Sequence, residues 1–489
     1  MGLKFIDPIT GDATGSTALG RAVLNKAVGA ENRELALEIS NQQNWRKSYQ
    51  SFFAQVAKHE LQNRRSAIEV ATSGLAEFEQ RIATDSGELL IEAMFNSWRA
   101  PLGKVETIVI RGTNTAERPS MDLLKVKAMV AQHSAEPGVV DAVKLAAGLD
   151  PNAIKQDLLI ALAGGAEYSP TRLWLDWGGD VAIVARPRPE LWRELIARAR
   201  SGAGTLYVPV LAEKLPAGKN ASLLNDDELC NVAGLDLTEN YEEISSWIAG
   251  LARADSRRIV LGCYAYAPGL KHIEVQAVQH CLARAVTEAL PKSRVVLSWL
   301  ATPTDSHVVP VEFAEDIRSR YQKRSVWTKF RDLMFGAHEH QPERLESSEG
   351  TRFALIDPTS SLQGSSYALA KRLQRWLAYQ QAEAGRQVAY LVAPPARTDS
   401  VLSHRILRAT YRGAPHFGLY PFDTDVAVRI SAILLLAKLH SPVMTKKQGI
   451  SELYTELAVH GGLWRSIYRP ADLWRVATMR GFWAYFSKG

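Results

Sequence analysis

Apolar residues recur at spacings of three and four from Leu35 through Ile82, with Glu, Gln, Arg and Ala between them. That period lines one face of a helix, so the first hundred residues are expected to be mainly helical. A β-branched run, Val105–Ile110, predicts a strand, and Gly112-Thr113-Asn114 supplies the turn after it. Residues 121–148 return to a helical spacing. The stretch Gly148-Leu149-Asp150-Pro151-Asn152 breaks the pattern and marks a boundary.

Beyond Asp157 the texture changes. Short apolar runs at Leu158–Leu162, Val181–Ala185, Thr205–Leu211, Arg258–Cys263, Val295–Leu300, Arg352–Ile356 and Val388–Val392 alternate with helical stretches. The helices are expected at Pro189–Arg200, Glu242–Arg253, Val275–Leu290, Glu315–Phe335 and Tyr367–Ala384. Continuous apolar strands separated by helices argue for a parallel sheet covered on both faces. The expected class is α/β, a Rossmann-like doubly wound parallel sheet with an N-terminal mainly helical domain. The chain divides into three parts: a helical accessory domain over 1–150, a sheet domain over 151–441 with an inserted β–α unit, and a tail over 442–489. In the tail, Trp464, Tyr468, Trp474, Phe482, Trp483, Tyr485 and Phe486 alternate with Arg465, Arg469, Arg475, Arg480 and Lys488. Such a segment docks on its own core or meets a membrane surface or a protein partner.

Composition adds constraints. An apolar fraction of 46% and a charged fraction of 22% over 489 residues fit an ordinary globular chain. The net charge of +6 suits an anionic ligand, such as a dinucleotide or an acyl carrier, or a plain solvated surface. No reading motif accompanies that charge, so nucleic acid is not an expected partner. Cys230, Cys263 and Cys281 form no CxxC pair, which argues against a zinc site or a disulfide framework and for a reducing compartment. The first residues hold no apolar signal core, and the run Ile430–Leu439 is too short to span a bilayer. A cytoplasmic location is the expectation. Neither the Asp12–Arg21 stretch nor His338-Glu339-His340 has the context of a phosphate loop or a metal site.

Three segments carry candidate chemistry. After the run Leu158–Leu162 come Gly164-Gly165 and a helix start at Ser169-Pro170. Glycines at a strand-to-helix turn allow a pyrophosphate close to the backbone, and a helix N-terminus offers N–H groups. Arg186 ends the next strand, where a cation meets the extra phosphate of NADP. The second segment runs from Asp357 to Lys371. Tyr367 and Lys371 lie four apart and so share a helix face. An ammonium beside a phenol favours phenolate and proton exchange with a carbonyl oxygen, and Ser360 or Ser361 would orient that carbonyl. The third segment, Val388–Asp399, is a strand followed by Pro394-Pro395-Ala396-Arg397-Thr398.

Together these segments resemble the short-chain dehydrogenase/reductase superfamily from Asp157 to about His440. The stretch Arg186 to Pro209 is similar to ketoreductase domains of fatty acid and polyketide synthases. The resemblance implies an oxidoreductase of fatty acid metabolism that uses NADPH to reduce a β-ketoacyl or related carbonyl. It implies Tyr367, Lys371 and Ser360 as catalytic residues, with Gly164, Gly165, Ser169, Arg186 and Thr398 at the cofactor. Its substrate would be a small molecule or a carrier-bound acyl chain, and the protein a candidate oligomer. Two features depart from the family. Tyr168 and Pro170 stand where later glycines belong, and no asparagine follows the fourth strand. These departures imply, as the alternative, a degenerate reductase-fold scaffold.

Overall fold

A computed structural model describes residues 2–101, 103–216, 220, 223–359, 363–441 and 449–486. Its centre is a seven-stranded sheet built from β1 (Val105–Arg111), β2 (Asp157–Leu162), β3 (Asp180–Val184), β4 (Thr205–Leu211), β5 (Arg258–Cys263), β6 (Val295–Ala301) and β7 (Val388–Val392). The strand order is β7-β6-β5-β2-β3-β4-β1. All pairings are parallel except that of β1 with β4. Numbered among themselves, the six parallel strands run 3-2-1-4-5-6, the order of a Rossmann-like sheet. Strand β1, from before residue 150, extends that sheet as an antiparallel edge.

The helices around this sheet include α1 (Trp45–His59), α2 (Arg64–Glu79), α3 (Pro189–Ser201), α4 (Tyr241–Ala254), α5 (Lys271–Ala289), α6 (Val326–Met334), α7 (Gly364–Glu383), α8 (Arg405–Gly413), α9 (Thr424–His440) and α10 (Pro470–Phe486). The two-residue period of β2 divides the core. Leu158, Ile160 and Leu162 join the cluster that holds α4, α5 and α7, while Leu159 and Ala161 join the cluster that holds α3 and α9. Each face of the sheet is therefore covered by helices, as continuous apolar strands require. Helices α1 and α2 pack outside α7 and share its core cluster.

Two expected elements come out differently. Arg352–Ile356 is a strand, but it pairs antiparallel with Glu343–Glu346 and His307–Pro310 in a separate three-stranded sheet. The stretch between β6 and α7 is an insertion carrying this small sheet, distinct from the β–α unit expected beside the fourth strand, where Arg258–Cys263 and Val295–Ala301 both take places in the parallel sheet. The helix expected at Glu315–Phe335 is two helices, Glu312–Gln322 and α6, parted where Ser325 caps the second by accepting from Thr328 N–H at 3.2 Å. The described part of the tail folds back on the protein. Trp464 is buried and donates to Pro303 O at 2.9 Å, and α10 crosses α8 with the Thr410 and Thr478 hydroxyls 2.6 Å apart.

A buried ionic cluster joins these parts. On α7, Arg372 donates to Glu60 Oε1 at 3.0 Å and to Asp305 Oδ1 at 3.2 Å. Arg375 donates to Asp305 Oδ2 at 2.6 Å and to Ser306 O at 2.9 Å. Trp376 Nε1 donates to Glu60 Oε1 at 2.7 Å. All of these side chains are buried. Burial pushes the Asp305 carboxyl up, but the charges of Arg372 and Arg375, with His307, outweigh it and hold the group down to about 2. Because the folded value lies below the unfolded one, this stabilisation is full above the unfolded pKa of about 3.9 and drains as pH falls toward 2. Removing one partner of a buried pair typically costs about 3–5 kcal/mol. Asp305→Ala is expected to lower the urea-unfolding free energy by that amount at pH 7, and the gap should narrow as the pH approaches 2. A gap below about 1 kcal/mol at pH 7 would count against the cluster's role.

Candidate functional site

In an open parallel sheet, ligands bind beyond the carboxyl ends of the strands, where the strand order reverses. Here the reversal falls between β2 and β5. A cavity of about 530 Å³ opens over this end of the sheet. Its floor is made by the segments that leave four strands: Tyr168 after β2, Tyr264 and Tyr266 after β5, Thr302 after β6 and Pro394 after β7. Tyr367 and Lys371 on α7 form one wall, and Tyr411 on α8 and Trp474 on α10 close another.

The polar wall follows from helix geometry. Tyr367 and Lys371 are four residues apart on α7 and face the cavity together. Lys371 Nζ donates to Leu300 O at 3.0 Å and to Gln374 Oε1 at 3.2 Å, and lies 5.7 Å from the Tyr367 ring centroid. The Thr302 hydroxyl, 2.7 Å from that of Thr304, lies beside the Tyr367 phenol. Behind the phenol, His272 stacks on the Tyr367 ring, with centroids 5.2 Å apart and planes 17° from parallel. Tyr266 meets the same ring edge-on at 6.1 Å. The ring is thus held on three sides.

Electrostatics set the protonation states. Burial raises the Tyr367 phenol above its ordinary value, and the neighbouring Thr302 hydroxyl offsets only part of that rise. The phenol therefore keeps its proton at neutral pH, in contrast with the phenolate-favouring pairing expected from the sequence. Burial lowers Lys371 to about 8, against the opposing pull of Asp305. Burial, helped by the Lys371 charge, holds His272 down to about 3, so its ring is neutral and Nδ1 accepts from Ala267 N–H at 3.3 Å. The result is a protonated phenol, a hydroxyl and an amine poised near neutrality, set in an otherwise largely apolar cavity. A phenol in this state donates a hydrogen bond to a carbonyl oxygen, or a proton to a developing oxyanion.

Among the residues expected at a site, Tyr367, Lys371 and Thr398 line the cavity. Thr398 also caps the short helix Asp399–Ser403 by accepting from Val401 N–H at 3.4 Å. Ser360 lies outside the described residues. Gly164, Gly165, Ser169 and Arg186 do not reach the cavity. The Gly164 N–H is already used, with Ala161 O and Val184 O both at 3.1 Å. A Cβ on Gly164 would sit 2.6 Å from Ile183 Cγ2, and one on Gly165 would sit 2.7 Å from Leu191 Cδ2. These glycines let the turn pack tightly on β3 and on Leu191 of α3. Ser169 is buried, with its hydroxyl 2.7 Å from that of Thr171. Arg186 is exposed past the end of β3, and its carbonyl accepts from Trp192 Nε1 at 3.1 Å.

Three features of this end of the sheet weigh against a dinucleotide. The Tyr168 hydroxyl donates to Pro394 O, so the side chain crosses from the β2 end to the β7 end. Over the end of β3, where the adenosine half would rest, Leu235 N–H donates to Ala185 O at 2.9 Å, and Gly234 lies against Ala185 and Pro187. The described lining carries Lys371 as its cation and Glu167 as its carboxylate, with no guanidinium for a pyrophosphate. Sequence reasoning missed Thr302 and His272. Thr302 directly follows an apolar strand run, which was its signal, but the insertion hides how close it comes to Tyr367. His272 gives no signal beyond a lone histidine on a helix. No protein-family model matches the chain, and no curated protein matches it.

The Tyr168 bridge is testable. Tyr168→Phe keeps the ring and removes the donor, so urea unfolding should show a loss of about 1 kcal/mol. An unchanged midpoint and slope would mean that the bridge is absent in solution.

Proposed function

We propose that this chain binds a small carbonyl compound, such as a ketone or an acyl thioester, in the cavity at the carboxyl end of its sheet. The carbonyl oxygen accepts from the Tyr367 hydroxyl beside Thr302, and the apolar remainder lies against Tyr266, Pro394 and Trp474. One observation carries this reading. Tyr367, Thr302 and Lys371 converge from two different elements on one wall of an otherwise largely apolar cavity. Concave apolar pockets with a few convergent polar groups are the usual form of small-ligand sites.

A second reading is NADPH-dependent reduction of the bound carbonyl. The phenol and amine one helical turn apart, with a hydroxyl at the end of the preceding sheet strand, favour it. The Tyr168 bridge and the packed glycine turn weigh against it. Fold alone does not decide between the two, because function resides in the site.

Calorimetric titration with a β-ketoacyl thioester of N-acetylcysteamine tests the first reading. Wild type is expected to bind, and Tyr367→Phe to bind about tenfold more weakly, as loss of one hydrogen bond implies. Its melting temperature should stay close to wild type. Equal affinity in the two proteins, or no binding by wild type, contradicts the proposal. Adding NADPH separates the second reading: steady NADPH consumption that Tyr367→Phe abolishes supports it, and absence of NADPH binding removes it.

A further inference from the structure

Helix α6 is attached to the protein by the side that would ordinarily face water. Its buried residue is Asp332, whose carboxylate meets Arg324 at 2.6 Å and accepts from the Tyr468 hydroxyl at 2.7 Å. The opposite side is apolar and open to solvent. Val326 is 80% exposed, Trp327 81% and Met334 71%, and Phe330, Leu333 and Phe335 are all more than half exposed. At helical spacing, Val326, Phe330, Leu333 and Met334 form one stripe with Trp327 on its flank. Scattered exposed apolar residues need no explanation, but a contiguous apolar face marks a binding surface.

The surroundings indicate what covers it. Lys323, Lys329 and Arg331 border the stripe, with Lys329 Nζ donating to Gln322 O at 3.1 Å, while the Asp332 carboxylate is taken up by Arg324 at 2.6 Å and Arg331 at 3.2 Å. At the end of α6, Arg475 of α10 donates to Gly336 O at 3.1 Å. From Arg475, a second stripe runs along α10 through Met479 (52% exposed) and Trp483 (61% exposed), with Arg480 5.8 Å from the Trp483 ring centroid. The carboxylate of Asp472 on that helix is held by His338 and Arg469. Outward Trp, Phe and Met fringed by cations, on the open side of a helix, match the chemistry of a bilayer interface carrying anionic headgroups. No helix among the described residues is long and apolar enough to cross a membrane.

We propose that α6, with the exposed side of α10, lies in the surface of an anionic membrane and holds the protein there. The apolar stripe sinks into the headgroup boundary, and the flanking lysines and arginines meet lipid phosphates and carboxylates. Helix α10 joins this surface to the cavity, because Trp474, the neighbour of Arg475, forms part of the cavity wall. The surface assignment is independent of which ligand the cavity takes.

Vesicle flotation of the full chain tests the proposal. The vesicles are phosphatidylcholine and phosphatidylserine in a roughly 3:1 ratio, with pure phosphatidylcholine as the comparison. Wild type is expected to float with the anionic vesicles and to lose most of that binding in high salt, because the charge component is screened. The triple variant Trp327→Ser, Phe330→Ser, Met334→Ser should bind at least about tenfold less with no drop in melting temperature, since these side chains bury little. Lys323→Glu with Lys329→Glu should also lose anionic-vesicle binding. The proposal is overturned if wild type stays at the bottom of the gradient, if the triple variant floats as wild type does, or if binding ignores phosphatidylserine. It is also overturned if sedimentation shows a dimer that the triple variant dissociates while no vesicle binding occurs, because the face then serves a second copy.

Discussion

Arg372 and Arg375 place two guanidinium charges on consecutive turns of α7, in a region closed to solvent. Asp305 and Glu60 answer them from two other parts of the chain, the start of the insertion and the residue that ends the N-terminal helix α1. A charge in this setting is tolerated only when paired and hydrogen-bonded, so the four side chains allow α7 little freedom of rotation or register. Lys371 directly precedes Arg372, and Tyr367 lies one turn before Lys371 on the same helix. Their direction into the cavity is set by the ion pairs behind them. The N-terminal helical layer thereby has a role at the site: through Glu60 it fixes the helix that carries the candidate chemistry.

The sheet supplies the cavity, and the segments leaving it decide what the cavity accepts. Four strands end beneath it, and side chains on their exits form the floor. At the β2 exit, where a dinucleotide-binding protein of this architecture keeps open backbone, the turn is drawn tight against Ile183 and Leu191 and bridged by Tyr168 to the far side. Tyr367, Lys371 and Thr302 stand at the cavity, while the turn after β2 and the end of β3 are packed. Thr302, Tyr367 and Lys371 keep their mutual arrangement because each is tied to β6 or α7, elements that the core holds for reasons unrelated to any ligand.

Much of this was readable from the chain. The alternation of apolar runs with helical stretches gives the α/β class, because strands buried on both faces leave a continuous apolar signature. Tyr367 and Lys371 were visible through their spacing. Arg352–Ile356 shows where such reading stops. Five residues of strand-forming type precede the Tyr367 helix and look like the next parallel strand, yet they belong to a small antiparallel sheet. A local pattern reports that a segment is extended and half-buried, and not which partner it joins. Gly164-Gly165 illustrates a second limit. Glycine is demanded equally by a phosphate approaching the backbone and by a neighbouring side chain packed against it, and only the position of Ile183 separates the two. Thr302 was hidden for a topological reason: the insertion lies between it and the residue it touches.

The most direct test of the account is a crystal structure of the protein with a bound β-ketoacyl thioester analogue. A ligand carbonyl oxygen is expected within hydrogen-bonding reach of the Tyr367 hydroxyl, about 2.6–3.2 Å, with Arg372 and Arg375 still paired to Glu60 and Asp305. A ligand seated elsewhere, or a cavity in which Tyr367 turns away from the carbonyl, would contradict it.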